Sequence, residues 1–155
     1  MLRWFFLSCS SYGYSHFGSF LVLGGFVDFL LPSLYANGHG AITGLANVYP
    51  YTLHALWTAS LATLPSSPNP SMEMLERAQH LQGIAARADR TIALTGIPGT
   101  KWLMERRYGY GGLCRLPLMP FEDSDGEKLL AHNYVMDIEK VETELGLKLE
   151  RGGET

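Results

Sequence analysis

Charged residues are scarce in this sequence of 155 residues, at 17%, while hydrophobic residues reach 46% and the formal net charge is −3. Charged residues usually make up about a quarter of a globular chain. Composition leaves two interpretations open: an ordinary compact domain, or a chain whose surface is largely covered by further chain or by another subunit. The 12 lysines and arginines form no basic stripe, so we expect no nucleic-acid partner.

The sequence also lacks the residue clusters that form disulfide frameworks and metal sites. Cys9 and Cys114 lie far apart and form no CxxC pair, and the 5 histidines show neither an HExxH motif nor paired ligand spacing. The stretch that starts at Asp123 resembles the beginning of a calcium loop, but the position of its distal carboxylate ligand is Tyr134. We therefore expect no metal ion and no cofactor.

Apolar runs are too short or too interrupted for a membrane span. The N-terminal run from Trp4 to Leu7 is followed by serines, whereas a signal peptide needs about 7–15 apolar residues. The run at residues 20–35 contains two glycines, an aspartate and a proline, whereas a span needs about 20 mostly apolar residues. A membrane or secreted protein is the weakest interpretation; we expect a cytoplasmic or mitochondrial protein, and the sequence does not distinguish these two.

Short strands and helices alternate in the first part of the chain. The continuous apolar run at residues 20–23 is typical of a strand buried on both faces, and residues 40–45 predict a second strand. Between them, Asp28 is predicted to cap a helix that has Pro32 in its first turn. A long apolar helix is predicted at residues 50–64. Strand, helix, strand, helix in this order indicates βαβ units with parallel strands.

Helices dominate the rest of the chain, to residue 146. Apolar spacing predicts a helix around residues 74–88 and another at 91–108, which is interrupted around Gly96 to Gly99. Ser124 and Glu127 fit a capping box that opens a last helix, and Gly146 is predicted to end it. The apolar face of this last helix is predicted to contain Leu130, Tyr134, Ile138, Val141 and Leu145.

Three stretches, at residues 22–34, 37–50 and 96–118, resemble one enzyme family in the same order. Together they are similar to the region from the seventh strand to the C-terminal helices of the dihydrodipicolinate synthase / N-acetylneuraminate lyase family. The third stretch and the segment from Leu45 to Val48 look most like 4-hydroxy-2-oxoglutarate aldolases. The resemblance covers about residues 20–145 and marks the chain as a C-terminal fragment of such a protein.

The resemblance implies an α/β fold: a partial TIM (β/α)8 barrel followed by a C-terminal helical region, mostly helical overall. Residues 20–64 would form the last two βα units of the barrel and residues 65–146 the C-terminal helices. Residues 1–19 are atypical and not native to the fold, and residues 147–155 form a polar tail. A complete barrel of this type needs about 250 residues.

Family members are class I (Schiff-base) aldolases and lyases that act on 2-oxo acids, such as aldols derived from pyruvate. Their imine-forming lysine lies on the sixth strand and their proton-relay tyrosine on an earlier strand, both upstream of the stretch present in this chain. The resemblance therefore implies no catalytic residue here and an inactive chain. The lysines that are present, Lys101, Lys128, Lys140 and Lys148, are interpreted as solvated or structural.

Two substrate-binding positions follow from the resemblance. Gly25 would end the seventh strand, where a glycine lets substrate come close, and Ile42 would lie on the eighth strand, where the backbone faces the pyruvoyl group. The structural alternatives are a strand-end turn for Gly25 and a barrel-core residue for Ile42. Phe26 and Val27 stand where the branch has a polar residue.

A non-catalytic hypothesis stands beside the aldolase hypothesis. In it, the helical C-terminal part is an interaction module that pairs with a full-length relative. The same helices make a homo-oligomer possible, because family members use their C-terminal helices in subunit contacts. The partner that the aldolase hypothesis predicts is a small 2-oxo acid.

Overall fold

The computed structural model describes residues 21–152, with side chains described to Gly146. The described part is mostly helical, as predicted. Its elements are β1 (Leu23–Gly24), α1 (Leu30–Tyr35), β2 (Gly40–Ala41), α2 (Leu45–Val48), α3 (Pro50–Ala62), α4 (Met72–Tyr108), α5 (Asp123–Leu130) and α6 (Asn133–Gly152). The atypical segment predicted at residues 1–19 lies outside the described residues. From residue 21 to residue 152, no helix has both the length and the apolar character needed to cross a membrane.

The two strands pair in parallel, with Leu23 opposite Gly40 and Gly24 opposite Ala41. The amide of His39 donates to the carbonyl of Val22, and that amide–carbonyl pattern continues one residue beyond β2. Parallel pairing confirms the βαβ order that the sequence predicts. Each strand is only two residues long, shorter than predicted. In the described part of the chain each strand has one pairing partner, the other strand of a two-stranded sheet.

Helix α1 begins without the aspartate cap that the sequence suggests. Its N-cap is Phe29, which makes no side-chain capping bond, so the prediction for Asp28 is wrong. The amide of Leu31 instead donates to Oε1 of Gln82 on α4, at 2.7 Å. Pro32 lies in the first turn as predicted, and Asn37, with φ at +62°, follows the C-terminus of the helix.

Helix α3 is capped by a residue that is distant in sequence. Tyr49 at its N-cap makes no side-chain capping bond, and the first turn leaves free amides that need acceptors. The buried carboxylate of Glu142 on α6 accepts hydrogen bonds from the amides of Tyr51 and Thr52 and from the hydroxyl of Thr52. The negative charge also lies at the positive end of the helix dipole.

Helix α4 begins at the Ser71 cap, whose hydroxyl accepts from the amide of Met74. It is continuous to Thr95, and its backbone breaks at Gly96, which has φ +62° and ψ −157°. The predicted interruption around Gly96 to Gly99 is confirmed. The predicted separation of helices between residues 88 and 91 is wrong, because the buried face continues through Ala88 and Ile92.

The predicted single last helix is two helices, α5 and α6. The capping box is wrong: α5 begins at Asp123, and Glu127 pairs with Arg106 rather than with its own N-terminus. Gly146 does not end α6, which continues to Gly152. The buried face also differs from the prediction, because Tyr134 is exposed; buried on α6 are Val135, Ile138 and Glu142.

The hydrophobic core lies among α3, α4 and α6, with the short α2 inserted beside them. Its fully buried members include Val48, Leu56, Leu103, Val135 and Ile138. The strand pair lies at the edge of this core. One of its faces is covered through Val22, while Leu23 and Ile42 point away from the core and are exposed.

Candidate functional site

The carboxyl ends of β1 and β2 lie side by side, since the amide of Ile42 donates to the carbonyl of Gly24 at 2.8 Å. The two predicted substrate-binding residues, Gly25 and Ile42, are therefore together at this end of the sheet. A Cβ atom added to Gly25 would meet no atom within 4 Å. Ile42 is 72% exposed. In parallel α/β folds, ligands bind at this end of the strands.

Asp89 of α4 connects the two loops that follow the strands. Its side chain is only 4% exposed. One carboxylate oxygen accepts from the amide of Val27 at 3.0 Å, and the other lies 3.5 Å from the hydroxyl of Thr43. Because one carboxylate bonds to the loop after β1 and to the loop after β2, it fixes the position of the two loops relative to each other.

A cavity of about 340 Å³ opens beside these loops, between the strand ends and α4. Phe26 and Gly44 line it on the strand side, and Asp89, Ile97 and Lys101 line it on the α4 side. The helix break at Gly96 lies on the same wall. Gly25 adjoins the cavity through its neighbour Phe26, and Ile42 lies two residues before the lining residue Gly44, but neither Gly25 nor Ile42 lines the cavity.

Lys101 is the lysine of this cavity wall, and its ammonium donates to the carbonyl of Leu113. It comes from α4, not from a strand. Of the other lysines with described side chains, Lys128 pairs with Asp125 in an exposed ion pair and Lys140 lies on the exposed side of α6. The interpretation of Lys101 as a structural lysine agrees with its bond to the segment that follows α4.

A second buried polar cluster lies at the junction of α2 and α3. The hydroxyl of Tyr49 donates to Glu139 at 3.1 Å, and Glu139 also pairs with Arg107, whose guanidinium lies 4.9 Å from the Tyr49 ring centre. Burial raises the pKa of Tyr49 well above its usual value, and the nearby carboxylate of Glu139 raises it further. This phenol therefore remains protonated and serves as a hydrogen-bond donor between helices.

The pKa of Asp89 gives a testable pH dependence. Burial raises this pKa above its usual range, and hydrogen bonds from the loop amides oppose only part of the rise. Since the folded protein holds this proton more tightly than the unfolded chain, the contribution of Asp89 to stability is fully present below about pH 4. That contribution is lost as the pH rises through the folded-state pKa.

We expect the free energy of unfolding of the wild type to fall, relative to that of Asp89→Asn, as the pH rises from about 4. Urea denaturation of both proteins at a series of pH values measures the difference. Asp137→Asn is the control, because the Asp137 side chain is half exposed. A difference between wild type and Asp89→Asn that stays constant with pH would contradict the assignment.

Sequence reasoning missed Asp89 and Glu142. A signal for both exists in the helical spacing: Asp89 follows Ala85 by four residues, and Glu142 follows Ile138 by four. Each acid therefore falls on an apolar helix face, where a charged residue is rarely buried without a partner. The spacing predicts a buried acid but not its partners, which come from distant loops and helix ends.

Comparisons with known proteins place this chain in a family. The chain is 32% identical over 105 residues to an L-threo-3-deoxy-hexylosonate aldolase of Hypocrea jecorina, covering 68% of the chain and 30% of that protein. It is 30% identical over 125 residues to the protein of the same name in Aspergillus niger, covering 78% and 33%. The chain belongs to the dihydrodipicolinate synthase / N-acetylneuraminate lyase family. The family resemblance predicted from the sequence is confirmed.

A third relative is named a probable mitochondrial 4-hydroxy-2-oxoglutarate aldolase, from Emericella nidulans, and is 33% identical over 99 residues. That match covers 64% of the chain and 29% of the relative. The chain thus spans about a third of the length of the curated relatives that it matches. No protein-family model matches the chain.

Proposed function

We propose that this chain is the closing part of a class I aldolase acting on 2-oxo acids, and that it does not form the catalytic imine by itself. The observation that carries the proposal is the cavity at the carboxyl ends of β1 and β2, together with a lysine set that lies on helices. The strand ends supply walls of a substrate site, and the amine comes from elsewhere.

The exposed side of the strand pair supports the barrel part of this proposal. Parallel sheets are normally buried on both faces, and their strands belong to larger sheets. Here β1 and β2 pair only with each other within the described range, and Leu23, Phe26 and Ile42 are exposed. Further strands of a (β/α)8 barrel would pair with the outer edges of β1 and β2.

The placement of the lysines supports the absence of imine chemistry. A lysine that attacks a carbonyl must lose its proton, and enzymes achieve this in a desolvated pocket or beside another cation. Lys101 lines the cavity, but its ammonium donates to the backbone carbonyl of Leu113 and so lies against the segment that follows α4. Lys128 is exposed and pairs with Asp125, so it lies in no desolvated pocket.

The test is reduction with borohydride in the presence of pyruvate, followed by intact mass and peptide mapping. We expect no lysine of this chain to gain the mass of a reduced pyruvoyl adduct. The Aspergillus niger relative, treated in parallel, is expected to gain it. Lys101→Arg is the matched variant: an adduct on the wild type that disappears in this variant would overturn the proposal and would identify Lys101 as the nucleophile.

A further inference from the structure

The walls of the cavity at the strand ends are mainly hydrocarbon. Six apolar side chains from the strand side and from α4 line it: Phe26, Leu45, Ile92, Ala93, Ile97 and Met104. A ligand that enters must give up water around any polar group it places against these walls. Burial of an unpartnered hydroxyl is unfavourable, whereas burial of hydrocarbon is favourable.

The polar side chains of the cavity wall already have partners inside the protein. Asp89 accepts from the loop amide of Val27, Thr100 donates to the carbonyl of Gly96, and Lys101 donates to a carbonyl of the next segment. The amide nitrogen of Asn47 donates back to its own turn. A ligand rich in hydroxyls would need several of these groups to exchange partners.

This inference rests on the proposed function. We propose that the cavity holds the tail of the aldol substrate, and that this tail is a hydrocarbon group of about three to five carbons, without hydroxyls. The cavity adjoins the strand ends, where the reacting carbons of a 2-oxo acid would lie. Its volume of about 340 Å³ is sufficient for such a group. Phe26 and Ile97, on opposite sides, select the apolar tail.

Two six-carbon carboxylates without a 2-oxo group cannot form an imine, so they test the proposal by binding alone. They are 2-hydroxy-4-methylpentanoate, with an apolar tail, and gluconate, with a hydroxylated tail. Binding to the full chain is measured by saturation-transfer NMR and titration. We expect 2-hydroxy-4-methylpentanoate to bind about tenfold more tightly than gluconate, since its tail buries hydrocarbon. Equal affinities, tighter binding of gluconate, or no binding of either probe would overturn the proposal.

Ile97→Asn and Leu94→Asn form a matched pair of variants. Ile97 and Leu94 are both exposed apolar residues of α4, at 60% and 71%, so neither change should unfold the protein. Only Ile97 lines the cavity. We expect Ile97→Asn to weaken 2-hydroxy-4-methylpentanoate binding about tenfold and Leu94→Asn to leave it unchanged. Phe26→Ser, from the opposite wall, should repeat the loss.

Equal affinity in Ile97→Asn, Phe26→Ser and the wild type would show that the probe binds elsewhere and would reject the apolar subsite. The probe-binding experiment tests the subsite and borohydride trapping tests the proposed function, and either result can be negative without the other. A pyruvate adduct on this chain would overturn the missing-amine proposal and leave the probe affinities as they are. Loss of probe selectivity would reject the subsite and leave the trapping result as it is.

Discussion

Glu142→Leu is expected to lower the free energy of unfolding by about 3 kcal/mol, a large fraction of the stability of a domain. The carboxylate is 2% exposed and accepts three hydrogen bonds from the first turn of α3. Leucine has a similar size but accepts none, so the amides of Tyr51 and Thr52 would be left without this acceptor. Each buried donor without a partner costs about 1–3 kcal/mol.

Thermal and urea denaturation measure this effect, and the expected fall in melting temperature is about 10 °C. Glu142→Gln should lower stability less than Glu142→Leu, because glutamine keeps one oxygen acceptor. It should still lower stability, because the negative charge at the helix N-terminus is lost. Glu144→Leu is the matched control, two residues along the same helix and exposed, and it should change stability little. Equal destabilisation by Glu142→Leu and Glu144→Leu would contradict the capping role.

Gly126→Ala is expected to destabilise the protein by about 2 kcal/mol, although alanine normally stabilises a helix relative to glycine by about 0.5–1 kcal/mol. A Cβ atom at Gly126 would lie 2.3 Å from the nearest atoms of the Trp102 indole ring. That ring is buried, and its nitrogen donates to Asp123 at 2.7 Å, so it cannot move aside without loss of this bond. Helix α5 would have to shift away from α4.

Gly83→Ala is the control, since the added Cβ would meet only the flexible end of Arg87, at 3.4 Å. It should leave the protein as stable as the wild type or more stable, by chemical denaturation. A double-mutant cycle of Gly126→Ala with Trp102→Phe tests the cause: if the clash is responsible, the two changes are not additive. Stability that is unchanged in Gly126→Ala would show that α5 packs less closely than described.

Local patterns predicted the order of elements well. The apolar run before Gly24 and the interruption around Gly96 each depend on neighbours within a few residues. The family resemblance depends on the same short stretches and is confirmed by the relatives. The extent of each strand was not predictable in this way, because strand length depends on pairing partners.

The error at the start of α1 has a clear physical cause. The sequence suggests a local cap at Asp28, whereas the acceptor for the Leu31 amide is Gln82; α3 likewise uses Glu142, and both acceptors are far away in sequence. A polar side chain near a helix end competes with any other acceptor that the fold brings there. Sequence spacing reveals a local residue that could cap the helix. The distant acceptor is revealed only by the packing of α4 and α6.

The substrate-binding roles of Gly25 and Ile42 stay predictions. The structure puts both at the carboxyl ends of the paired strands, where both residues are exposed. Pairing through the C-terminal helices also stays a prediction. Leu113, Leu116 and Met119, in the segment between α4 and α5, are exposed apolar side chains.

The distance along the chain between α3 and its cap has a consequence for biosynthesis. Thr52 and Glu142 are separated by 90 residues. At about 5–20 residues per second, a ribosome adds Thr52 roughly 5–18 s before it adds Glu142. Until Glu142 has been synthesised, the amides of Tyr51 and Thr52 lack this acceptor. The cap of α3 is therefore completed only when α6 has been made and packs against it.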